Sequence, residues 1–138
     1  FGIPALKNLD CWWPVLNDLC KSAKLNKKIE IKSDGSALRD FISLKDISSF
    51  IQILINKKIN KKIINLCSGK SVSIRELAEK VAKNKYFKNE NIKLTIKKKA
   101  NKNLKKKRFK YNNLIMKKNG FAANGSLDEQ ITEFLKLI

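Results

Sequence analysis

The sequence predicts an α/β fold, and three observations carry that expectation. Segments with an apolar period near 3.6 residues alternate along the chain with short segments of period 2, as helices interleaved with strands require. Two capping boxes, Ser73-Ile74-Arg75-Glu76 and Ser126-Leu127-Asp128-Glu129, mark helix starts. A length of 138 residues with a 43% hydrophobic fraction is enough for one modest core.

The first helix is expected over 12–23, with Pro14 in its first turn and Val15, Leu16, Leu19, Cys20 and Ala23 on one face. Residues 27–32 alternate, with Ile29 and Ile31 on one side, as a short strand does. Asp34-Gly35-Ser36 is a turn. A short extended piece over 41–44 leads into a helix over 45–56 whose expected buried side carries Ile47, Phe50, Ile51, Leu54 and Ile55. Residues 62–67 hold a continuous apolar run, Ile63, Ile64 and Leu66, and are expected to form a buried strand ended by Gly69. At the first capping box Val72 and Leu77 occupy hydrophobic-staple positions, and Leu77, Ala78, Val81 and Ala82 form the inner face of the helix that follows. Ile92, Leu94 and Ile96 alternate with polar residues as in a half-exposed strand. Residues 97–110 are a basic, low-complexity stretch expected to be a solvated loop. A short helix over 112–119 stops at Gly120, and the last helix buries Leu127, Ile131, Phe134, Leu135 and Ile138.

Composition narrows the function classes. No apolar run approaches the roughly 18 residues that a membrane span needs. The N-terminal residues lack the basic flank and apolar core of a signal peptide. The one methionine is Met116, so the chain is expected to be a piece of a longer protein. Three cysteines, Cys11, Cys20 and Cys67, form no C-x-x-C pair. They are expected to be small buried hydrophobes in a reducing cytoplasm. With no histidine, the commonest metal ligand and general base are both missing, and no metal site is expected. The net charge of +19 is nearly all lysine; the arginines are Arg39, Arg75 and Arg108. A polyanion-binding surface and AT-rich coding compete to explain it. The joint abundance of Lys, Asn and Ile, and the scarcity of the better phosphate ligand, favour coding.

Two stretches carry possible chemistry. Ser68-Gly69-Lys70-Ser71 has the end of a phosphate-binding loop, but the position that such a loop reserves for its first glycine is Ile64, so a glycine turn is the simpler reading. In Gly35-Ser36-Ala37-Leu38-Arg39-Asp40-Phe41, a lone arginine after a glycine turn suits a bidentate anion contact. A surface pair between Arg39 and Asp40 is the alternative.

Gly35-x-x-x-Arg39-Asp40-Phe41-Ile42-x-Leu44-x-Asp46-Ile47 resembles the G-x-x-x-R-D-F-I-x-V-x-D-V block of the extended short-chain dehydrogenase/reductases, the family of NAD-dependent nucleotide-sugar epimerases and dehydratases. Asn65-Leu66-Cys67-Ser68-Gly69, running on to Ser73-Ile74, is similar to its N-x-G-S-G-x-x-x-S-I block. Phe1-Gly2-x-Pro4 resembles the tail of N-x-F/Y-G-P, and residues 112–121 resemble the closing S-K-x-x-x-x-L-G-W helix. Asp10-Cys11-Trp12 with Asn17-Asp18-Leu19-Cys20 resembles a subgroup tied to surface-sugar synthesis.

The resemblance implies the C-terminal, substrate-binding portion of an extended Rossmann-type enzyme, incomplete without its N-terminal dinucleotide-binding half. It implies that Arg39 grips the diphosphate of a nucleotide sugar, that Asn17 bonds its phosphate or sugar, and that Glu30 and Lys32 line the base pocket. Asp46 is implied to be structural, and 62–67 to belong to the missing half's sheet. NAD or NADP in the parent enzyme, a possible homodimer and a cytoplasmic location are also implied, with no membrane partner. A small lysine-rich nucleic-acid binder, acting through 97–110, is the rival reading. The chain departs from the family pattern in three places. Lys32 stands where an aromatic residue is usual, Tyr111 where an aspartate is usual, and Asn101 with lysines where a second arginine is usual. Gly-x-x-Gly-x-x-Gly is absent, and neither tyrosine is followed four residues later by lysine, so no catalytic or cofactor-binding residue is assigned in this chain. The chain alone is therefore expected not to bind NAD. Calorimetry should give no saturable heat, and a micromolar dissociation constant would contradict this.

Overall fold

The computed structural model describes residues 1–2, 12–57, 59, 61, 63–97 and 111–138. The elements run α1 (Val15–Asn26), β1 (Lys28–Ile31), β2 (Leu38–Asp40), α2 (Leu44–Asn56), β3 (Ser71–Ser73), α3 (Ile74–Ala82), a 3-10 turn (Lys85–Phe87), β4 (Lys93–Ile96), α4 (Leu114–Lys118) and α5 (Leu127–Leu137). Cys11 and the basic stretch beyond Lys97 lie outside the described residues, as do Asn101 and Arg108.

Each helix starts and stops where its chemistry directs. Pro14 is the N-cap of α1, and Lys27, at φ 51°, ends it by donating its N–H to the Ala23 carbonyl. The Ser43 hydroxyl caps α2, and both predicted capping boxes form, at Ser73 with Glu76 and at Ser126 with Glu129. α4 is closed by Lys57, whose ammonium donates to the Asn119 carbonyl at 2.8 Å.

β1 and β4 pair in parallel, Lys28 opposite Lys93 through Ile31 opposite Ile96. Their inward residues join one cluster with Leu16, Leu19, Cys20 and Ala23 of α1, Leu77, Ala78 and Val81 of α3, and Ile131, Phe134 and Leu135 of α5. Val72 packs against this cluster, to which its expected staple partner Leu77 belongs. A second, smaller cluster joins Phe50 of α2 to Met116 of α4 and Phe121, with Ile42, Ile53, Leu54, Ile64 and Leu66 around it.

Four sequence expectations are corrected. The extended stretch expected over 41–44 lies earlier, as β2, and α2 begins at Leu44. Residues 63–67 form no strand, because no neighbouring strand among the described residues offers them a ladder. The inner face of α2 is narrower than expected. Phe50 is fully buried, but Ile51 is 44% and Ile55 78% exposed, because α4 and Phe121 cover one side only. Val15 of α1, also expected inside, is exposed as well, one residue past the stripe that α3 and α5 cover.

Asp46 ties the two clusters together. It is 3% exposed, and its carboxylate accepts from the Asn124 main chain at 2.8 Å, the Asn124 side chain at 2.9 Å and the Gln130 amide of α5 at 2.8 Å. Burial pushes its acidity constant up. Hydrogen bonds from Asn124, Gln130 and Ser43 together outweigh burial, so the group lies below its ordinary value of 3.8. A depressed carboxyl contributes stability that is fully present above the unfolded value and is lost as pH falls through the folded one. Asp46→Asn should therefore cost about 1.5–3 kcal/mol in urea unfolding at neutral pH. The difference from the unmodified chain should shrink as the pH falls below about 4; a difference independent of pH would contradict the assignment.

The uncovered side of α2 has a consequence of its own. Ile51 and Ile55 stand one turn apart on it, and Ile63 is 82% exposed. The purified chain should self-associate. Ile51→Lys with Ile55→Lys should raise the monomer fraction in sedimentation without lowering the melting temperature; an unchanged distribution would show that this face is not sticky.

Candidate functional site

The Gly35 turn places Arg39. Gly35 has φ +72°, and a Cβ there would sit 3.0 Å from the Cβ of Arg75. The main chain on either side is tied to the start of α3, Arg75 N–H to the Gly35 carbonyl at 2.9 Å and Ile74 N–H to the Ala37 carbonyl at 3.0 Å. The chain leaves this turn as β2, which runs antiparallel to β3 with Arg39 opposite Val72. Arg39 is exposed, and one guanidinium nitrogen donates to the Leu38 carbonyl at 2.7 Å. It forms no ion pair among the described residues.

Asp40 points the other way. One carboxylate oxygen accepts from the Ser68 N–H at 2.7 Å and the other from the Gly69 N–H at 2.8 Å. The Arg39–Asp40 surface pair is thereby excluded. The same bonds explain why Ser68-Gly69-Lys70-Ser71 is no phosphate loop: its convergent N–H groups already hold an anion, and that anion belongs to the chain. Gly69 has φ +77°, and the Asn113 side chain lies 2.7–2.8 Å from where its Cβ would be. The Asn113 amide donates to the Ser68 carbonyl at 2.7 Å, and the Cys67 N–H reaches the Met116 sulfur at 3.5 Å.

The other three predicted residues sit elsewhere. Asn17, on α1, is 2% exposed, and its amide exchanges hydrogen bonds with the main chain of Gly2, donating at 3.1 Å and accepting at 3.3 Å. Glu30, on the outer face of β1, is bridged by Lys97 at 2.7 Å and Lys28 at 3.1 Å. Those bonds, Lys97's first, hold its carboxyl below the usual glutamate range. Lys32 is exposed just past β1. Glu30 and Lys32 thus share one strand end, while Arg39 belongs to a separate sheet and Asn17 to a helix face.

A cleft of about 270 Å³ opens between Phe41, Val72 and Leu127, with Lys70, Lys80 and Asp128 at its rim, and none of the four predicted residues lines it. Burial pushes the Cys20 thiol up to about 12 and raises that of Cys67, so neither is a ready nucleophile. No helix among the described residues is long and apolar enough to cross a membrane. Sequence reasoning missed the tasks of Asp40 and Asn113, although Asp40 stood in the quoted motif. Local pattern gives no sign of a bond to a turn so distant in sequence.

This arrangement is an α/β fold, and it is that of the C-terminal portion of the extended short-chain dehydrogenase/reductase epimerases and dehydratases. Among solved structures the chain is similar to a UDP-N-acetylglucosamine 4-epimerase from Methanobrevibacter ruminantium in complex with UDP-N-acetylmuramic acid. The TM-score is 0.74 at 22% identity, over 99% of this chain and 42% of that one. It is similar to the UDP-N-acetylglucosamine 4-epimerase of Bacillus cereus, with a TM-score of 0.73 at 16% identity over 99% and 44% of the two chains. It is also similar to TunA, an NAD-dependent NDP-hexosamine 5,6-dehydratase of tunicamycin biosynthesis, with a TM-score of 0.70 at 16% identity over 99% and 42%. The chain thus spans about two fifths of the length of these enzymes. No family model and no curated protein sequence matches it.

Proposed function

We propose that the chain is the nucleotide-sugar-binding segment of an NAD-dependent sugar-nucleotide epimerase or dehydratase serving surface polysaccharide synthesis. One observation carries the reading. Arg39, in the motif shared with that family, holds an exposed guanidinium on a fold of that family, with no carboxylate partner among the described residues. A guanidinium fork left free of protein anions suits a diphosphate, which it can grip with two parallel hydrogen bonds. Asn17, Glu30 and Lys32 remain substrate contacts in this proposal, with Glu30 acting while paired to its lysines.

On this reading the dinucleotide sits in the other half of the enzyme. The sequence lacks the glycine fingerprint, and the N–H pair of Ser68 and Gly69 is filled by Asp40. Oxidation and reduction of the sugar belong, on this reading, to a half that binds NAD or NADP, and the segment supplies affinity and orientation. A homodimer and a cytoplasmic location belong to the proposal too. The lysine-rich nucleic-acid binder is not adopted, since the stretch on which it rests lies almost wholly outside the described residues.

The test joins the segment to its cofactor-binding half. Arg39→Lys should weaken UDP- or dTDP-sugar binding, and Arg39→Ala should weaken it by about ten- to a hundredfold, as the loss of a charged hydrogen bond implies. NAD affinity should not change. Lys118→Ala, at an exposed position of α4, should do little. Unchanged sugar-nucleotide affinity in Arg39→Ala would refute the assignment.

A further inference from the structure

β2 and β3 are three residues each, and a two-stranded sheet of that size is marginal by itself. Its register decides where Arg39 points, because a slip of one residue would carry Arg39 to the opposite face. At the Gly35 end the ladder is continued by main-chain bonds into α3. At the far end the ladder stops at Asp40 opposite Ser71, and the side chain takes over. Its two oxygens seat on two successive N–H groups at 2.7 and 2.8 Å, beyond the last paired residue. Those N–H groups are fixed in turn. The Ser68 carbonyl is held by Asn113 at 2.7 Å, and Gly69 takes the left-handed conformation that turns consecutive N–H groups toward one anion. Asp40 and Arg39 are adjacent on a strand, so fixing one toward the turn fixes the other toward solvent.

We propose that Asp40 is a positioning residue for Arg39: its carboxylate, seated on the Ser68 and Gly69 amides, locks the register of β2 on β3 and with it the face on which the guanidinium stands. The proposal rests on the diphosphate reading of Arg39 only in its ligand arm.

Amide hydrogen exchange resolved by residue, on the 138-residue chain, tests the clamp directly. In the unmodified chain the Ser68 and Gly69 amides are protected. Asp40→Asn keeps one acceptor oxygen, so one of the two amides stays protected while the other exchanges about tenfold faster or more, as local opening allows. Asp40→Ala frees both, and the cross-strand contacts of Arg39 with Val72 weaken in the same order. A general loss of stability would move both amides and those of α3 together, so the asymmetry is the signature of the clamp. Arg39→Ala changes none of these rates. If Asp40→Ala does not fold, Asp40→Asn decides alone.

In the ligand arm inorganic pyrophosphate is the probe, and Asp40→Asn should weaken its binding by about tenfold, the scale of one hydrogen bond. If the unmodified chain does not bind pyrophosphate, or Arg39→Ala binds it equally well, the diphosphate reading fails and the exchange data still judge the clamp. The clamp is overturned if Ser68 and Gly69 exchange freely in the unmodified chain. It is equally overturned if neither Asp40 variant alters their exchange and the Arg39–Val72 contacts.

Discussion

The buried carboxylate of Asp46 is the constraint on which the rest of the structure depends. α2 contributes Phe50 to one apolar cluster, and α5 contributes Ile131, Phe134 and Leu135 to the other. Neither cluster alone fixes the angle between them. Asp46 does, because its two oxygens accept from Asn124 and Gln130 at the entrance to α5. Its own N–H is taken by the Ser43 cap, so the group that starts α2 also joins it to the last helix. A buried anion is tolerable only when it is well hydrogen-bonded, and here the Asn124 main chain, the Asn124 side chain and the Gln130 amide all donate to it.

Asp40 follows the same logic at the exposed edge. In a chain of net charge +19, no lysine among the described residues pairs with Asp40 or Asp46; both are held by amide N–H groups. Amides are fixed by the backbone or by short side chains, whereas an ammonium on four methylenes must be immobilised first. Among the described residues the lysines that pair, Lys27, Lys28, Lys45, Lys80 and Lys97, do so at the surface, where such pairs contribute little. Among the described residues the lysine charge thus contributes little to the architecture.

The parts of the fold that were legible in sequence are those governed by local rules. The capping boxes at Ser73 and Ser126, the helix faces of α3 and α5, and the alternation in β1 and β4 all depend on residues within a turn or two of one another. β2 and β3 escaped because three-residue strands display no period, and their pairing is set by Gly35 at one end and Asp40 at the other. Ile51 and Ile55 were read as buried because the pattern of a helix face records what it can cover, not whether a neighbour arrives. At the candidate site, Arg39 is singled out by its scarcity and its motif, and its part in binding a diphosphate stays a proposal. The main-chain bonds of Asn17 and the Lys97 bridge of Glu30 were not, since both link positions that local spacing cannot bring together.

All five glycines of the chain have positive φ. Lys, Asn and Ile are abundant in the chain, and glycine stands where an L side chain fits poorly. Gly69 makes the point, since a side chain there would meet both the left-handed backbone and Asn113. At these positions the backbone, rather than the composition of the rest of the chain, sets the residue.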